Sequence, residues 1–294
     1  MRFEKITIVG VGLLGGSLGL AIKRRRLAKL VCGYARRTAT INDCERLGAM
    51  DFATTDLLAA VSDADLVILC TPLAQMRSLV QQMLPALKRG AIVTDVGSVK
   101  VSVIQDVEAV IAKVGAHFVG SHPMAGGEKQ GVLAARADLF ECAICVVTPT
   151  KRTNPSALRN VEKLWKDVGA RLVRTPPDAH DALVSRSSHL PHLLAATLAN
   201  LVLDPRQPKA QGQLCATGFR DTTRIASGSP EMWRDIALTN RKHLSRALDG
   251  FVSELRKFQT ALKRGDAKAI ARFFETAKQR RDNWCAGCVS PSSE

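Results

Sequence analysis

The segment that most constrains the fold of this 294-residue chain is a glycine motif near its start. Gly10, Gly12 and Gly15 follow an apolar run, ITIV, and precede a helix-like stretch, SLGLAIKRRRL. In a strand-turn-helix unit, the first glycine permits a tight turn, the second lets a ligand approach the backbone, and the third lets the helix pack on the strand. Because N–H groups at a helix N-terminus bind phosphate, the motif predicts a dinucleotide site that includes Leu13 and Leu14. A glycine-rich turn without a ligand is the alternative.

Apolar runs of strand length alternate with helix-length segments through the first half of the chain. This alternation predicts a parallel sheet with helices on its faces, a Rossmann-type α/β domain. The expected strands are residues 6–9, 30–34, 66–70, 92–95, 117–120 and 144–148, with residues 171–174 as an edge strand. After a proline pair at 176–177, apolar residues recur at three- and four-residue spacing, which is typical of helices. We therefore predict a dinucleotide-binding domain over residues 1–177 and an all-α domain over residues 178–294.

Composition bounds the class of protein and its partners. Hydrophobic residues make up 46% of the chain and charged residues 23%, as in globular proteins. No apolar run reaches the roughly 18 residues of a membrane span, and the start lacks a secretion-signal pattern, so we predict a cytoplasmic protein with no membrane partner. The formal charge is +15, but the basic residues are dispersed, and one Tyr and three Trp offer few platforms for stacking bases. We interpret the charge as a basic surface that attracts small anions, and predict no nucleic-acid partner.

Eight cysteines are scattered along the sequence, and two pairs have C-x-x-C spacing. Cys142 and Cys145 lie in a strand-like run, where positions three apart face opposite sides. Cys285 and Cys288 follow a helical segment, whereas a redox motif opens a helix after a strand. We therefore predict no metal site.

Cofactor selectivity should depend on the residues after the second predicted strand. A fold that prefers NAD usually offers a carboxylate to the ribose about 20 residues beyond the glycine motif, and here Ala35 stands near that position. Arg36 and Arg37 instead offer guanidinium groups to a 2′-phosphate, with Thr38 as a hydroxyl donor. We predict NADP over NAD, with a merely solvated arginine loop as the alternative. Two further expected cofactor contacts follow the strand at residues 66–70: Thr71 and Pro72.

Four further segments resemble one enzyme family. They are TDVGSVK from Thr94, GSHPMAGGE from Gly120, SHLPH from Ser188 and GFRDTTRIA from Gly218. Together with the glycine motif they closely resemble the prephenate/arogenate dehydrogenase family, as far as about Asp249. The resemblance implies an NAD(P)-dependent enzyme of tyrosine biosynthesis, which oxidises prephenate to 4-hydroxyphenylpyruvate or arogenate to tyrosine with loss of CO2. It also implies a homodimer formed through the helical domain.

Proton transfer in that reaction is assigned to His122. This residue is expected just after the fifth predicted strand, at the sheet edge where open α/β folds bind ligands. A histidine can take up a proton near neutral pH, and oxidation of a secondary alcohol requires loss of the hydroxyl proton. The resemblance implies that Ser98 hydrogen-bonds the imidazole and fixes its tautomer.

Anion binding is assigned to the second half of the chain. The resemblance implies that Arg224 binds a substrate carboxylate, for which a guanidinium is a bidentate partner. Arg220, four residues earlier, could share its helical face. Glu128 and Asp221 match acidic positions of an ionic network near the family's site. Four other matched positions are expected at or near the pocket, though they could equally be packing determinants: His180, His189, His192 and Trp233.

Several alternatives stay open at this stage. A dehydrogenase of similar plan that acts on a β-hydroxyacid or an imine would typically use a lysine of its helical half as proton donor. A non-catalytic NADP sensor or a basic nucleic-acid-binding protein on the same scaffold would not need His122, Ser98 and Arg224 as a set. The sequence does not distinguish prephenate from arogenate, and we expect no added regulatory module.

Overall fold

The computed structural model describes residues 2–127 and 129–288, and its described part begins with an eight-stranded sheet. The strand order is β3-β2-β1-β4-β5-β6-β7-β8, and neighbours are parallel except for β6 and β7. The strands are β1 (Phe3–Val9), β2 (Ala28–Tyr34), β3 (Phe52–Thr54), β4 (Leu66–Leu69), β5 (Ile92–Asp95), β6 (His117–Pro123), β7 (Ile144–Thr148) and β8 (Arg171–Arg174).

Helices cover both faces of this sheet, and helices joined by loops make up the rest of the described chain. The first six are α1 (Leu13–Arg24), α2 (Thr38–Leu47), α3 (Leu57–Val61), α4 (Leu73–Met83), α5 (Val101–Lys113) and α6 (Pro155–Asp167). Those after the sheet are α7 (Pro177–Val184), α8 (Leu190–Val202), α9 (Lys209–Gln213), α10 (Thr217–Thr223), α11 (Pro230–Thr239), α12 (Arg241–Lys263) and α13 (Ala267–Cys288).

The central strands are apolar on both sides because helices cover both faces of the sheet. All four residues of β4, the sequence LVIL, are buried. One apolar cluster includes Ile8, Leu18 and Trp165 and packs under α1 and α6. The other includes Met76 and Val107 and packs under α4 and α5. The two clusters hold the carboxyl ends of β1, β4 and β5 at one edge, where the candidate site lies.

The predicted fold class, a Rossmann-type α/β domain followed by helices, is confirmed. Every predicted strand is present, and residues 171–174 form the edge strand β8. Two features differ from the prediction. The short strand β3 was not predicted, and the sheet is not wholly parallel because β7 pairs with β6 in the antiparallel sense.

The described chain divides into two compact units, residues 2–244 and residues 245–288. In the first unit, α7 packs on α5 and α11 packs on α4, so these helices contact the sheet domain directly. A π-helical segment, Ser185–His189, joins α7 to α8 and makes one continuous helix from Pro177 to Val202. In the second unit, Phe258 contacts Phe273 and Phe274 across the turn between α12 and α13.

Within the described residues, no helix is both long and apolar enough to cross a bilayer. Cys145 is buried in β7, whereas Cys142 is exposed in the turn before it. Cys285 lies in α13 and its Sγ accepts from Arg281. No group of three His, Cys, Asp or Glu side chains in the described part of the chain is placed to hold a metal ion.

Candidate active site

The glycine motif forms the turn between β1 and α1, and its geometry requires glycine. Gly10 has φ +99°, and a Cβ there would lie 2.8 Å from the carbonyl oxygen of Cys70. A Cβ at Gly15 would collide with the carbonyl oxygen of Gly10, so the third glycine permits close packing of helix on strand. A Cβ at Gly12 would meet nothing within 4 Å, so the backbone there faces open space. The turn can therefore be approached closely by a ligand.

The polar groups around this turn fit the pyrophosphate of a dinucleotide. Gly12 is the N-cap of α1 and supplies no side chain to the first N–H groups, which are the groups that a phosphate binds at a helix N-terminus. Beside Gly10, the buried hydroxyl oxygen Oγ1 of Thr71 has no hydrogen-bond partner among the described residues. Pro72 follows as the N-cap of α4. Leu13 and Leu14 begin α1 and are half-buried.

The predicted selectivity loop lies at the carboxyl end of β2. Arg36, Arg37 and Thr38 are exposed, and Arg37 is the N-cap of α2. Ala35 is buried, and its N–H donates to the carbonyl oxygen of Thr54. Residues 35–38 contain no carboxylate.

His122 lies inside β6, not after the strand as the sequence predicted. β6 continues to Pro123 because β7 runs antiparallel beside it and pairs His122 with Val146. The sequence pattern does not show that β7 pairs with this part of β6. The strand was therefore predicted to end at residue 120, before His122. His122 is 8% exposed. Sheet pairing therefore fixes the backbone of His122, and the side-chain contact with His180 orients its ring.

A second histidine and an aspartate line up behind His122. Nδ1 of His122 is 2.9 Å from Nε2 of His180, and Nδ1 of His180 is 2.8 Å from Oδ1 of Asp181. Oδ1 of Asp181 accepts from the backbone N–H of Lys100 at 2.7 Å, and Oδ2 accepts from that of Val101 at 2.9 Å. The start of α5 therefore anchors the aspartate that supports the two imidazoles.

Ser98 is half-buried in the loop after β5. Among the described residues no hydrogen bond joins it to His122, whose Nδ1 is paired with His180 instead. The role of Ser98 at the imidazole stays a prediction.

A buried ion pair lies beneath His122. The ammonium group of Lys100 pairs with Asp95, and both side chains are 0% exposed. The same ammonium donates to the carbonyl oxygen of Ser121 at 2.8 Å, one residue before His122. The hydroxyl of Ser121 accepts from the Trp165 indole at 3.0 Å and donates to the carbonyl oxygen of Asp95 at 2.6 Å. This cluster fixes the ends of β5 and β6 against each other.

The other side of Asp181 supports a third histidine. Nδ2 of Asn240 donates to the backbone carbonyl of Asp181 at 2.9 Å and lies 3.2 Å from Nδ1 of His189. His189 is 2% exposed, and its Nε2 has no hydrogen-bond partner among the described residues. His189 also contacts the edge of the Trp233 ring, with ring centroids 6.2 Å apart.

The contacts continue from Trp233 towards Arg224. The rings of His192 and Trp233 are stacked with centroids 3.7 Å apart, and Nδ1 of His192 lies 3.0 Å from the carbonyl oxygen of Ser188. Burial lowers the pKa of His192, the contact with Ser188 raises it, and the charge of Arg224 lowers it further. Residues of the sheet domain and of the helices thus meet in one chain of contacts within residues 2–244.

The predicted arginines lie where α10 ends. Arg220 is in α10, and Arg224 begins the 3-10 turn that packs against α8. Both residues are exposed, as is Asp221. The predicted residue Glu128 lies outside the described residues.

Two of the buried histidines of the network, His122 and His189, are neutral near pH 7. Burial lowers the pKa of His122 well below 6.5, and its neighbours His180, Lys100 and His189 lower it further. Burial also lowers the pKa of His189 to about 4, although Asp181 opposes the shift. A neutral imidazole is the form that can accept a proton, so His122 can act as a base.

Two members of this network had no assigned role in the sequence analysis. Asp181 follows His180 directly, and this His-Asp pair was the only signal that could have singled it out. Asn240 lies 51 residues beyond His189, in a segment that reads only as helix. No local pattern marks it.

Two family models match consecutive parts of this chain. The family model "Prephenate dehydrogenase, nucleotide-binding domain" matches residues 18–174, and "Prephenate dehydrogenase, dimerization domain" matches residues 176–276. A prephenate dehydrogenase of Bacillus subtilis is 36% identical over 282 residues, which are 95% of this chain and 76% of the relative.

Solved structures match this chain as well. Prephenate dehydrogenase from A. aeolicus, in complex with hydroxyphenyl propionate and NAD+, has a TM-score of 0.90 at 32% identity, with 96% of this chain and 99% of that chain covered. Arogenate dehydrogenase from Synechocystis has a TM-score of 0.80 at 30% identity, with 95% of this chain and 99% of that chain covered. The chain therefore belongs to the prephenate/arogenate dehydrogenase family and is an NAD(P)-dependent oxidoreductase, as its sequence motifs predicted.

Proposed function

We propose that this enzyme oxidises and decarboxylates prephenate, arogenate or both, in the biosynthesis of tyrosine. One observation carries the proposal: a buried, neutral imidazole at His122 is joined by continuous contacts to the helices that bear the candidate anion-binding residues. When bound, the nicotinamide accepts the hydride that leaves C4 of the substrate ring. The cofactor residues proposed from the geometry are those of the glycine turn together with Thr71 and Pro72.

In the proposed reaction His122 takes one proton from the substrate hydroxyl and later returns it to the same oxygen. The imidazole takes the proton of the 4-hydroxyl as the C4–H bond breaks, so that C4 becomes a carbonyl. The bond to the ring carboxylate then breaks, CO2 leaves, and its electron pair restores the aromatic ring with negative charge on the C4 oxygen. The protonated imidazole can return its proton to that oxygen. The buried surroundings of His122 favour its return to the neutral form.

We propose that Arg224 binds a carboxylate of the substrate, with Arg220 as a second cation. His189 and His192, on either side of Trp233, are the proposed polar contacts to the rest of the substrate. Glu128 and Asp221 are proposed to hold or gate the arginines.

Replacement of Arg224 by alanine is expected to raise KM by ~10- to 100-fold, since a charge-assisted bidentate contact would be lost. The effect on kcat should be smaller, because the lost contact weakens binding of the substrate and of the transition state about equally. Steady-state kinetics would measure both constants. Arg186→Ala, an exposed arginine of the π-helical segment, is the matched control. An unchanged KM in Arg224→Ala would refute the assignment.

For the cofactor we propose NADP over NAD, because Arg36, Arg37 and Thr38 present cations and a hydroxyl where a carboxylate would select NAD. Arg36→Ala and Arg37→Ala are each expected to raise KM for NADP by ~10-fold and to leave KM for NAD nearly unchanged. Equal losses with both cofactors would count against the proposal. Arg46→Ala, an exposed arginine near the other end of α2, serves as control.

We propose a homodimer formed through the helical part of the chain. Large apolar side chains are exposed there, among them Leu262, Phe274 and Trp284, at 59%, 59% and 66%. A contiguous exposed apolar patch marks an interface, and we propose that these side chains of α12 and α13 contribute to one. The domain boundary at residues 177 and 178 and the cytoplasmic location stay predictions.

The substrate is tested by steady-state kinetics with prephenate and arogenate against both cofactors, with CO2 and the aromatic product quantified. Turnover of either compound to an aromatic product is expected. Oxidation without CO2 release, or activity only on β-hydroxyacids or imines, would overturn the proposal in favour of the related dehydrogenases. Absence of turnover with tight NADP binding would favour a sensor.

A further inference from the structure

The side chain and the backbone of Asp181 are each connected by hydrogen bonds to a different histidine of the site. Its carboxylate contacts His180, which contacts His122, and its carbonyl oxygen contacts Asn240, which contacts His189. We infer that Asp181 fixes His122 and His189 in opposite tautomers, so that the site contains one ring nitrogen that accepts a proton and another that donates one. The identity of the substrate in this inference rests on the proposed function, but the tautomers do not.

The first branch follows from the carboxylate. A carboxylate only accepts hydrogen bonds, so Nδ1 of His180 must carry the hydrogen that fills the 2.8 Å contact with Asp181. When the ring carries this single hydrogen, Nε2 of His180 has a lone pair and accepts across the 2.9 Å contact with His122. Nδ1 of His122 is therefore protonated, and its Nε2 carries the lone pair.

The reverse arrangement is disfavoured by the same contacts. If Nε2 of His180 carried the hydrogen, an unprotonated Nδ1 would face the carboxylate oxygen of Asp181 at 2.8 Å. Two acceptors at that distance repel each other, and the group is too buried for bulk water to intervene, since His180 and Asp181 are each 1% exposed. The carboxylate itself is held by the N–H groups of Lys100 and Val101 and cannot turn away freely.

The second branch follows from the backbone carbonyl. A carbonyl oxygen accepts, so the amide of Asn240 must present its NH2 group to Asp181 at 2.9 Å. The second hydrogen of that NH2 group then donates to Nδ1 of His189 at 3.2 Å. Nε2 of a neutral His189 consequently bears the hydrogen.

The outcome is a complementary pair. Nε2 of His122 accepts the hydroxyl proton, and the buried Nε2–H of His189, which has no partner among the described residues, donates to an oxygen of the substrate. His180, Asp181 and Asn240 act through these two rings, so they are positioning residues. Because the donor and the acceptor are set in advance, no ring has to change tautomer during turnover.

Nitrogen-15 NMR of histidine-labelled protein tests the tautomers directly and without substrate. The chain has six histidines, and single His→Gln variants assign their signals. We expect the Nδ1–H form for His122 and the Nε2–H form for His189 at pH 7. The Nε2–H form at His122, or the Nδ1–H form at His189, would overturn the inference whatever the enzyme's substrate is.

Substitution of His180 separates positioning from packing. His180→Phe keeps a ring but removes both polar contacts, and we expect kcat to fall by ~10- to 100-fold with a shifted pH profile and little change in KM. His180→Gln keeps an acceptor for His122 and a donor for Asp181, and should recover most of the lost kcat. Wild-type kcat and pH profile in His180→Phe would refute the first branch.

Asn240→Leu tests the second branch, because it removes the donor to His189 while filling a similar volume. We expect a ~10-fold higher KM with a smaller change in kcat, and loss of the single His189 tautomer in the NMR spectrum. An unchanged His189 signal would contradict the inference. The control for all three variants is His243→Gln, which breaks the 3.1 Å contact between His243 and Asp178, a His-Asp pair outside this network.

Discussion

His122→Asn is expected to lower kcat by at least ~100-fold and to change KM little. Asparagine is smaller than histidine and can still donate to His180, so the strand and its pairing with β7 should persist. What it lacks is a group that takes up a proton. The loss should therefore fall on the chemical step, not on substrate binding.

The pH profile supplies a second readout. The neutral imidazole is the active form, and the pKa of His122 is lowered well below 6.5, first by burial and then by its neighbours His180, Lys100 and His189. Activity should therefore hold as the pH falls to 6.5 and drop only at lower pH, where His122 becomes protonated. In His122→Asn this acid limb should disappear from the remaining activity. His117→Asn, at the other end of the same strand, is the matched control. Near-normal kcat in His122→Asn would contradict the assigned role.

How far the sequence predicts this fold depends on how local each signal is. The glycine turn is predictable because close packing there excludes a Cβ atom, which requires glycine. β1 and β4 are predictable because buried strands need runs of apolar residues. β3 has three residues, one of them exposed, and carries too little pattern to be noticed. The antiparallel pairing of β6 with β7 depends on a contact partner, which no single segment encodes, so the strand that holds His122 was predicted too short.

The candidate site shows the same division. His122, Arg224 and the arginines after β2 stand out because reactive residue types occur in distinctive short motifs. Asp181 and Asn240 act through contacts across 81 and 51 residues of sequence, and only the folded chain reveals these. The expected contact between Ser98 and His122 came from the family resemblance, whereas the structure pairs His122 with His180.

Lys100→Met is expected to destabilise the fold by about 3–5 kcal/mol, the usual cost of removing one partner from a buried ion pair. Methionine fills most of the volume, but the carboxylate of Asp95 would stay fully buried without its cation. Burial lowers the pKa of Lys100 because it disfavours the charged form, and the contact with Asp95 opposes this shift.

Urea denaturation would give the free energy of unfolding for the wild type and the variant. Lys163→Met is the control, since its partner Asp167 is in the same helix and Lys163 is 48% exposed, so that pair should contribute less than about 1 kcal/mol. The double variant Lys100→Met/Asp95→Asn should recover part of the loss, because the buried charge is then gone. Equal stability of Lys100→Met and Lys163→Met would mean that the pair is not needed to hold Asp95. The ion pair also matters for the reaction, since the ammonium of Lys100 donates to the carbonyl oxygen of Ser121, the residue before His122. A folded Lys100→Met enzyme should therefore lose activity along with stability, which a purely structural contact far from the site would not cause.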